Sequence, residues 1–160
     1  MAQEAKSLDK LIDTLEDRVK ELNCMFELEE VLSKQELSIQ DALQQIVSCL
    51  PSAFQYPDIC HAKIVYRDQD FTSDNFVDSQ WSIWEDIIIQ GRQIGGIYVT
   101  YSKEKPEAEI GPFLVEEKQL LNSAASRLAH HLMYQRLKWY LINGMKIKRL
   151  SKIKNQENGQ

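Results

Sequence analysis

Residues 81–102 read WSIWEDIIIQGRQIGGIYVTYS, and this stretch decides the fold. It is rich in β-branched and aromatic residues, which favour strands, and QGRQ divides it in the middle, where Gly91 suits a tight turn. The stretch therefore predicts a long β-hairpin. In its second half, Gly95 and Gly96 predict a bulge or a place where another group packs close to the backbone.

Two shorter strands are predicted before the hairpin. Residues 59–66, ICHAKIVY, alternate with a period of two, and a turn at RDQD separates them from a short strand near residues 70–77. Helices are predicted before and after these strands along the chain. Ser38 suits the N-cap of a helix over residues 38–54, in which Pro51 ends or kinks the last turn. A long helix begins after Gly111-Pro112, with Gly144 as a point of interruption.

Both terminal helices carry an apolar stripe with alternating spacings of four and three. The first, called the α1 stripe below, predicts a parallel two-stranded coiled coil, because Leu occupies its d positions and mostly β-branched residues its a positions. The alternative is an amphipathic helix docked on its own domain. The α1 stripe consists of Leu8, Ile12, Leu15, Val19, Leu22 and Phe26. The α3 stripe consists of Leu121, Ala125, Leu128, Leu132, Gln135, Trp139 and Ile142.

The predicted fold class is therefore α+β, with an antiparallel sheet and long N- and C-terminal helices packed on one face and ending in coiled-coil segments. We divide the chain into an N-terminal signalling helix (residues 1–35), a compact domain (36–134) and a C-terminal helix extension with a basic tail (135–160). The 160 residues, 43% of them apolar, suffice for one such domain.

Charge and cysteine content restrict the function classes. Residues 1–135 carry a net charge of −11 and residues 136–160 a net charge of +6. An acidic body argues against a dedicated nucleic-acid binder, although the basic tail alone has the composition to bind nucleic acid or an anionic membrane; we prefer a helix that leads into a further domain. Three cysteines without a CxxC pair argue against a disulfide framework and a zinc ribbon. With no signal-peptide pattern and no apolar run long enough to span a membrane, we expect a cytoplasmic protein.

Several strings resemble the GAF domain, a small-molecule sensing and dimerisation module of signalling proteins. They are LSIQDALQQIVSCLPSAF, DICHAKIVY, DIIIQGRQIGGIYVTYS and GPFLVEEKQLLNSAASRLAHHL, which together cover residues 37–133. The resemblance is closest to the compact GAF domains that precede histidine kinase or phosphoenolpyruvate-synthase-like catalytic regions. It implies an antiparallel sheet of six strands or fewer and a homodimer formed through the terminal helices. It also implies a downstream catalytic domain and a small ligand on the sheet face opposite the helices.

The resemblance leaves three functions open. The first is a regulatory or sensor module that is not an enzyme by itself, and the second is an assembly module that binds no ligand. The third is a thiol-based enzyme similar to the free methionine-(R)-sulfoxide reductases, which share this fold. Only about 14 residues, RDQDFTSDNFVDSQ, separate the first strand from the hairpin. This is too short for the helical lid of larger GAF domains and argues against a deep nucleotide or tetrapyrrole pocket, so the cofactor stays undetermined.

Candidate ligand-binding residues follow from strand alternation, which places Trp81 and Trp84 on opposite faces of the sheet. One tryptophan is expected to pack under the helices, and the other to line a shallow pocket on the opposite face, where Asp86 or Glu85 contacts a polar ligand. The residues we assign to this site are His61, Lys63, Trp84, Asp86 and Tyr98. We assign no catalytic and no metal-binding residues.

Two other pairs suggest chemistry but have simpler explanations. Cys60 and His61 are adjacent on a predicted strand and therefore point to opposite faces, with Cys60 in the core, so they do not form a nucleophile–base pair. His130 and His131 lack the acidic residue that directly follows the phosphoacceptor histidine of a kinase. We interpret them as solvated or interhelical residues.

Overall fold

The computed structural model describes residues 2–158. In chain order these residues form α1 (Ala2–Ser33), α2 (Ile39–Cys49), β1 (Cys60–Tyr66), β2 (Gln69–Thr72), β3 (Ser82–Ile89), β4 (Arg92–Tyr101) and α3 (Val115–Asn158). The predicted α+β class with an antiparallel sheet and terminal helices is confirmed. The division at residues 35 and 134 stays a prediction, and its residues 1, 159 and 160 lie outside the described part of the chain.

The sheet has four antiparallel strands in the order β2-β1-β4-β3. The predicted hairpin is confirmed as β3 and β4, which are joined by Gln90 and Gly91 with φ angles of 51° and 76°. Two positive φ angles are typical of a type I′ turn, whose twist matches that of the strands. The predicted bulge is also present: Ile87 lies opposite Gly95 and Ile88 opposite Gln93, so β4 carries one extra residue.

The prediction of a strand near residues 70–77 is wrong in its extent, because β2 ends at Thr72. Its partner β1 pairs with it only over residues 63–66, although the Ser73 amide still donates a hydrogen bond to the Ala62 carbonyl oxygen at 2.9 Å. There the Ser73 hydroxyl accepts a hydrogen bond from the Ala62 amide at 2.9 Å. The chain from Ser73 to Trp81 consequently runs as an irregular segment, which we call the 73–81 segment.

The helix predicted over residues 38–54 begins and ends for the expected reasons but is shorter. Ser38 caps α2 by accepting a hydrogen bond from the Asp41 amide at 3.1 Å. α2 ends at Cys49, and Pro51 lies in the 3₁₀ turn Leu50–Ala53 that follows. Proline has no amide hydrogen and clashes with the preceding α-helical turn, so the chain tightens and leaves the helix there.

The helices form two levels on one face of the sheet. α2 and α3 pack on the strands, and α1 packs on α2 and α3. Two ion pairs set the direction of α1: Arg18 contacts Glu116 at 3.2 Å, and Glu29 contacts Arg127. Both pairs join residues 98 positions apart, so α1 and α3 run parallel. The first half of α1 and the second half of α3 therefore project from opposite ends of the domain.

The projecting segments are long and exposed. Every residue from Ala2 to Glu16 is exposed, which corresponds to about 22 Å of helix. From Tyr134 onwards no described residue of α3 is buried. The expected interruption at Gly144 is wrong, because α3 continues unbroken to Asn158. A glycine in a helix costs only about 1 kcal/mol relative to alanine, so good helix formers around it carry the helix through.

A buried carboxylate attaches the start of α3 to the rest of the core. Glu117 is 1% exposed and accepts hydrogen bonds from the amides of Leu114 and Gln55, each at 2.8 Å, and from the Tyr101 hydroxyl at 3.2 Å. The bond to Leu114 is the half of a capping box in which the N3 glutamate satisfies the N-cap amide. Burial raises the pKa of Glu117, and the three donors oppose that rise.

Candidate functional site

The five residues assigned to a ligand site lie on the same face of the sheet, which we call the outer face because the helices cover the other one. Lys63 on β1 lies opposite Tyr98 on β4, and Tyr98 lies opposite Trp84 on β3. These three residues therefore form a row across three strands. His61 lies two residues before Lys63 on β1, and Asp86 lies two residues after Trp84 on β3, so both share this face. Strand alternation thus predicted correctly which side chains share this face.

The 73–81 segment covers the middle of the outer face. The Phe76 ring lies edge-on to the His61 ring at 6.3 Å between centroids and at the same distance from the Tyr98 ring. The Lys63 ammonium lies 5.5 Å from the centroid of Phe76 and 5.3 Å from that of Tyr98. Lys63 is thus held between two aromatic rings by cation–π attraction. The Phe76 ring therefore lies over the Lys63 and Tyr98 side chains of the row.

Asp78 of the same segment joins the cluster through hydrogen bonds. Its carboxylate accepts a bond from the Tyr98 hydroxyl at 2.5 Å and one from the Ser79 amide at 2.8 Å. The Tyr98 bond is the main reason why the pKa of Asp78 lies below its usual value, with Lys63 contributing by charge attraction. Burial raises the pKa of Tyr98, and the bond to Asp78 adds to the rise. Both groups therefore keep their ordinary charge states at neutral pH.

Trp84 lies flat against β4 because residue 96 is a glycine. A Cβ atom at Gly96 would come within 1.9 Å of the Trp84 ring, so any side chain there would displace the indole. The Trp84 indole donates a hydrogen bond to Asp86 at 2.5 Å, and Gln93 donates to the same oxygen at 2.7 Å. The expected close approach at the glycine pair is thus confirmed, and neighbours within the chain already satisfy the Asp86 carboxylate.

His61 differs from the other members of the cluster. Its Nδ1 atom is buried and has no hydrogen-bond partner within residues 2–158. Buried polar atoms are nearly always paired, since an unpaired one costs about 1–3 kcal/mol. A ligand donor or a water molecule reaching this nitrogen would remove that cost. This atom is the strongest indication of binding on the outer face.

The structure excludes one alternative ligand contact. Glu85 faces the helices, where it pairs with the Lys118 ammonium at 2.7 Å and accepts a hydrogen bond from Asn122 at 2.9 Å. The suggestion that Glu85 contacts a ligand on the outer face is therefore wrong. Trp81 packs against the core, so Trp84 is the tryptophan of the outer face.

Sequence reasoning missed Phe76 and Asp78, which complete the cluster. Both residues lie in or just after the predicted strand near residues 70–77. A strand there would continue within the sheet and would not cross over its outer face. The available signal was DNFVD, an aromatic residue between acidic ones in a turn-rich segment.

Cys60 does not reach the outer face. It is 4% exposed on the helix-facing side of β1, as predicted, and burial raises the pKa of its thiol. Among residues 2–158, no group of three or more His, Cys, Asp or Glu side chains is placed to hold a metal ion. The same part of the chain has no helix that is both long and apolar enough to cross a bilayer.

The second candidate surface is the α1 stripe. Its six residues are between 45% and 70% exposed. The opposite side of the same helix is docked, with Cys24, Leu28, Val31 and Leu32 buried against the domain. α1 therefore docks on its own domain, as the alternative expected, but not through the stripe, which stays unpartnered within residues 2–158.

The α3 stripe is divided between two environments. From Leu121 to Leu132 it is buried under the sheet, and beyond this point Trp139 and Ile142 are 61% and 46% exposed. These two residues line a groove of about 560 Å³, together with Tyr66 and Arg67 at the β1–β2 turn. Only the projecting half of α3 therefore offers apolar surface to a partner.

Comparison of the chain with family models and with curated proteins gave no match.

Proposed function

We propose that the chain is a GAF-like regulatory module of a signal-transduction protein, which dimerises through its terminal helices and is not an enzyme by itself. The observation that carries this proposal is the exposure of the α1 stripe. Six large apolar residues at heptad spacing face water, and the helix is attached to the domain only through a different face near its C-terminal end, from Cys24 onwards.

A second copy of the chain is the partner that suits the stripe best. Leu at d with Ile12 and Val19 at a is the combination that favours a parallel two-stranded coiled coil. Full burial of a Val, Leu, Ile or Phe side chain stabilises by about 1.5–3 kcal/mol, and these side chains are about half exposed or more. Contiguous apolar surface of this kind is rare in monomers and typically marks an interface.

The parallel course of α1 and α3 suits the transmission of a signal. In a two-fold dimer with its axis along the helices, each projecting helix meets its own copy at one end of the domain. A change in the packing of α1 against α2 and α3 would then shift one pair of helices relative to the other. The resemblance to GAF domains suggests that an attached catalytic region receives this shift.

The fold supports the GAF-like assignment by its arrangement rather than by a motif. An antiparallel sheet carries helices on one face, and a short segment instead of lid helices crosses the other. This is the compact arrangement that the short connection between β1 and β3 predicts. A small polar ligand on the outer face is part of the proposal, because the His61 Nδ1 atom is buried and unpaired.

The second candidate function is an assembly module that binds no small molecule. Phe76 already fills the middle of the outer face, and Asp78 and Asp86 are satisfied by neighbouring residues. The thiol-based enzyme is less well supported, since Cys60 points away from the outer face and the other two cysteines lie on helices. No thiol of the described chain reaches the pocket where such an enzyme would bind its substrate.

Native mass spectrometry of the full chain tests the proposal. We expect the wild-type chain to be a dimer, and the double variant Leu15→Glu/Val19→Glu to be a monomer, because it places carboxylates at one d and one a position. A molecule bound to the dimer would support the sensor, and a dimer without additional mass would support the assembly module.

The matched control is Ser7→Glu/Thr14→Glu, which adds the same charge to exposed c positions of the same helix. This variant should stay dimeric, and all three proteins should have the same circular dichroism. A monomeric wild type, or a stripe variant that remains dimeric, would contradict dimerisation through α1.

A further inference from the structure

A groove lies where the projecting half of α3 leaves the sheet, away from the outer face. This groove, called the α3 groove below, has a volume of about 560 Å³, which is within the usual range of small-molecule pockets. Tyr66 and Arg67 at the β1–β2 turn form one wall, and side chains from residues 132–142 of α3 form the other. Tyr66 shares the helix-facing side of β1 with Cys60, so the groove and the outer face are on opposite sides of the sheet.

The charge of the α3 groove is opposite to that of the chain as a whole. The groove is lined by three cations, Arg67, Arg136 and Lys138, and no Asp or Glu is among the described residues that line it. Residues 118–156 contain nine Lys and Arg residues and no Asp or Glu, although the chain has a net charge of −5. None of the three cations has an ion pair within residues 2–158. The groove therefore concentrates positive charge that no carboxylate of these residues neutralises.

The backbone holds Arg67 in an unusual conformation at the edge of this groove. Arg67 and Asp68 join β1 to β2 with φ angles of 47° and 63°. Both angles lie in the left-handed region, where Asn and Gly are the usual residues and other side chains crowd the backbone. Backbone of this kind is enriched at ligand-binding sites. The Arg67 guanidinium lies 5.4 Å from the centroid of the Tyr66 ring, and this contact keeps its charge at the wall of the groove.

The helical wall of the groove supplies two aromatic rings. Trp139 and Tyr140 pack edge to face, with 5.1 Å between their ring centroids and 79° between their planes. They are 61% and 59% exposed, so much of their surface is open to a ligand. Large aromatic side chains stack on planar rings and gain from removing that surface from water. The α3 groove thus combines an aromatic surface with three cations.

We propose that the α3 groove binds a small aromatic phosphate, whose ring stacks on Trp139 and whose phosphate contacts Arg67, Arg136 and Lys138. A guanidinium has parallel N–H donors that match two oxygens of a phosphate. A phosphate monoester carries a charge of about −1.5 to −2 at neutral pH. Three cations without a carboxylate among them suit this charge better than the single charge of a carboxylate ligand.

The groove stays open in the proposed dimer. Each residue turns an α-helix by about 100°, so Leu137 and Leu141 lie on the side of α3 opposite Trp139. They are 48% and 65% exposed, and a second copy that meets α3 through them leaves the groove free. The inference does not rest on the GAF-like assignment, on dimerisation or on a ligand at the outer face. A phosphate held by both walls would join the β1–β2 turn to the projecting half of α3.

The test is a titration of the full chain with 1-naphthyl phosphate, and separately with 1-naphthol and inorganic phosphate, which are the two halves of this probe. Calorimetry gives the affinity, and the indole N–H signals of the three tryptophans in a two-dimensional NMR spectrum give the location. We expect 1-naphthyl phosphate to bind about tenfold more tightly than either half and to shift the Trp139 signal. Absence of binding would overturn the inference. A shift of the Trp84 signal alone would also overturn it, because the probe would then lie on the outer face, where the proposed function expects a ligand.

Single variants separate the two walls of the groove. Arg67→Gln should weaken binding of 1-naphthyl phosphate about tenfold, because one charge-assisted contact with the phosphate is lost. Arg92→Gln is the matched control: it removes the same charge at the start of β4 and should leave the affinity unchanged. Trp139→Leu should weaken binding of 1-naphthyl phosphate but not of inorganic phosphate. All three side chains are exposed, so the variants should keep the circular dichroism of the wild type. Equal losses in Arg67→Gln and Arg92→Gln would show that overall charge alone attracts the probe and would contradict the site.

Discussion

The α1 stripe and the first half of the α3 stripe have the same spacing, yet the structure places them in opposite environments. Leu128 in α3 is fully buried, and Leu15 in α1 is 56% exposed. The two helices run parallel, but the first half of α3 lies directly on the sheet, whereas the first half of α1 projects beyond the domain. Where α1 packs on other helices, from Cys24 onwards, it turns a different face towards them.

This comparison shows what heptad spacing means in a single sequence. The spacing indicates that one side of a helix is apolar, but it does not indicate whether the same chain or another one covers that side. In α3 the domain of the same chain buries the stripe up to Leu132. In α1 the buried residues are a second, shorter set that begins at Cys24 and lies outside the stripe.

The largest expected effect separates the two stripes directly. Leu128→Ala should lower the free energy of unfolding by about 2–5 kcal/mol, since it leaves a cavity beneath the sheet. The matched change Leu15→Ala should act only through the dimer, because its side chain touches no core of its own. Urea unfolding at several protein concentrations would distinguish them. The effect of Leu128→Ala should persist on dilution, and that of Leu15→Ala should vanish; an effect of Leu15→Ala that is independent of concentration would remove the distinction.

A medium effect is expected at Glu117, whose hydrogen bonds anchor the start of α3 and hence its buried stripe. In Glu117→Gln an NH₂ group replaces one carboxylate oxygen. This group is a donor, and it faces backbone amides or the Tyr101 hydroxyl, which donate to the carboxylate in the wild type. An unpaired buried polar group costs about 1–3 kcal/mol, so the variant should be less stable at pH 7 by that amount.

The same pair of proteins tests the pH dependence. The folded-state pKa of Glu117 is raised, so the folded chain binds this proton more tightly than the unfolded chain does. The resulting stabilisation is fully present below the unfolded pKa and is lost as the pH rises through the folded pKa. The stability advantage of the wild type over Glu117→Gln should therefore grow as the pH is lowered from neutral. An advantage that shrinks on acidification would show that the pKa is not raised.

The smallest effect concerns the projecting half of α3. No atom outside the helix lies within 4 Å of a Cβ placed at Gly144, so Gly144→Ala introduces no clash. The substitution should stabilise this segment by about 1 kcal/mol through helix propensity and leave the unfolding midpoint of the domain unchanged. Amide hydrogen exchange would show the slower local opening. A shift of the domain midpoint would mean that the projecting segment takes part in the core.

Much of the fold was predictable because local signals agreed with the tertiary structure. The QGRQ turn, the Ser38 cap and the helix end at Pro51 depend on residues close together in sequence. Alternation along β1, β3 and β4 likewise predicted the outer-face residues His61, Lys63, Trp84, Asp86 and Tyr98. Alternation placed Glu85 on the face opposite Asp86, but it did not indicate which of the two faces the helices cover.

The missed features depend on contacts between distant parts of the chain. Phe76 and Asp78 join the outer face because β2 is short, and β2 ends where the Ser73 hydroxyl accepts the hydrogen bond of the Ala62 amide. Neither spacing nor composition encodes this approach, since it depends on how complete elements pack.

The amino-acid sequence by itself determined the elements of this protein: an antiparallel hairpin sheet between helices, and two helices with apolar stripes. These follow from backbone preferences and side-chain periodicity, which act over a few residues. Only the tertiary structure decided which stripe is buried and what covers the outer face. Those outcomes depend on the packing of surfaces that are far apart in the chain, and burial is a property of the assembled layers rather than of any one segment.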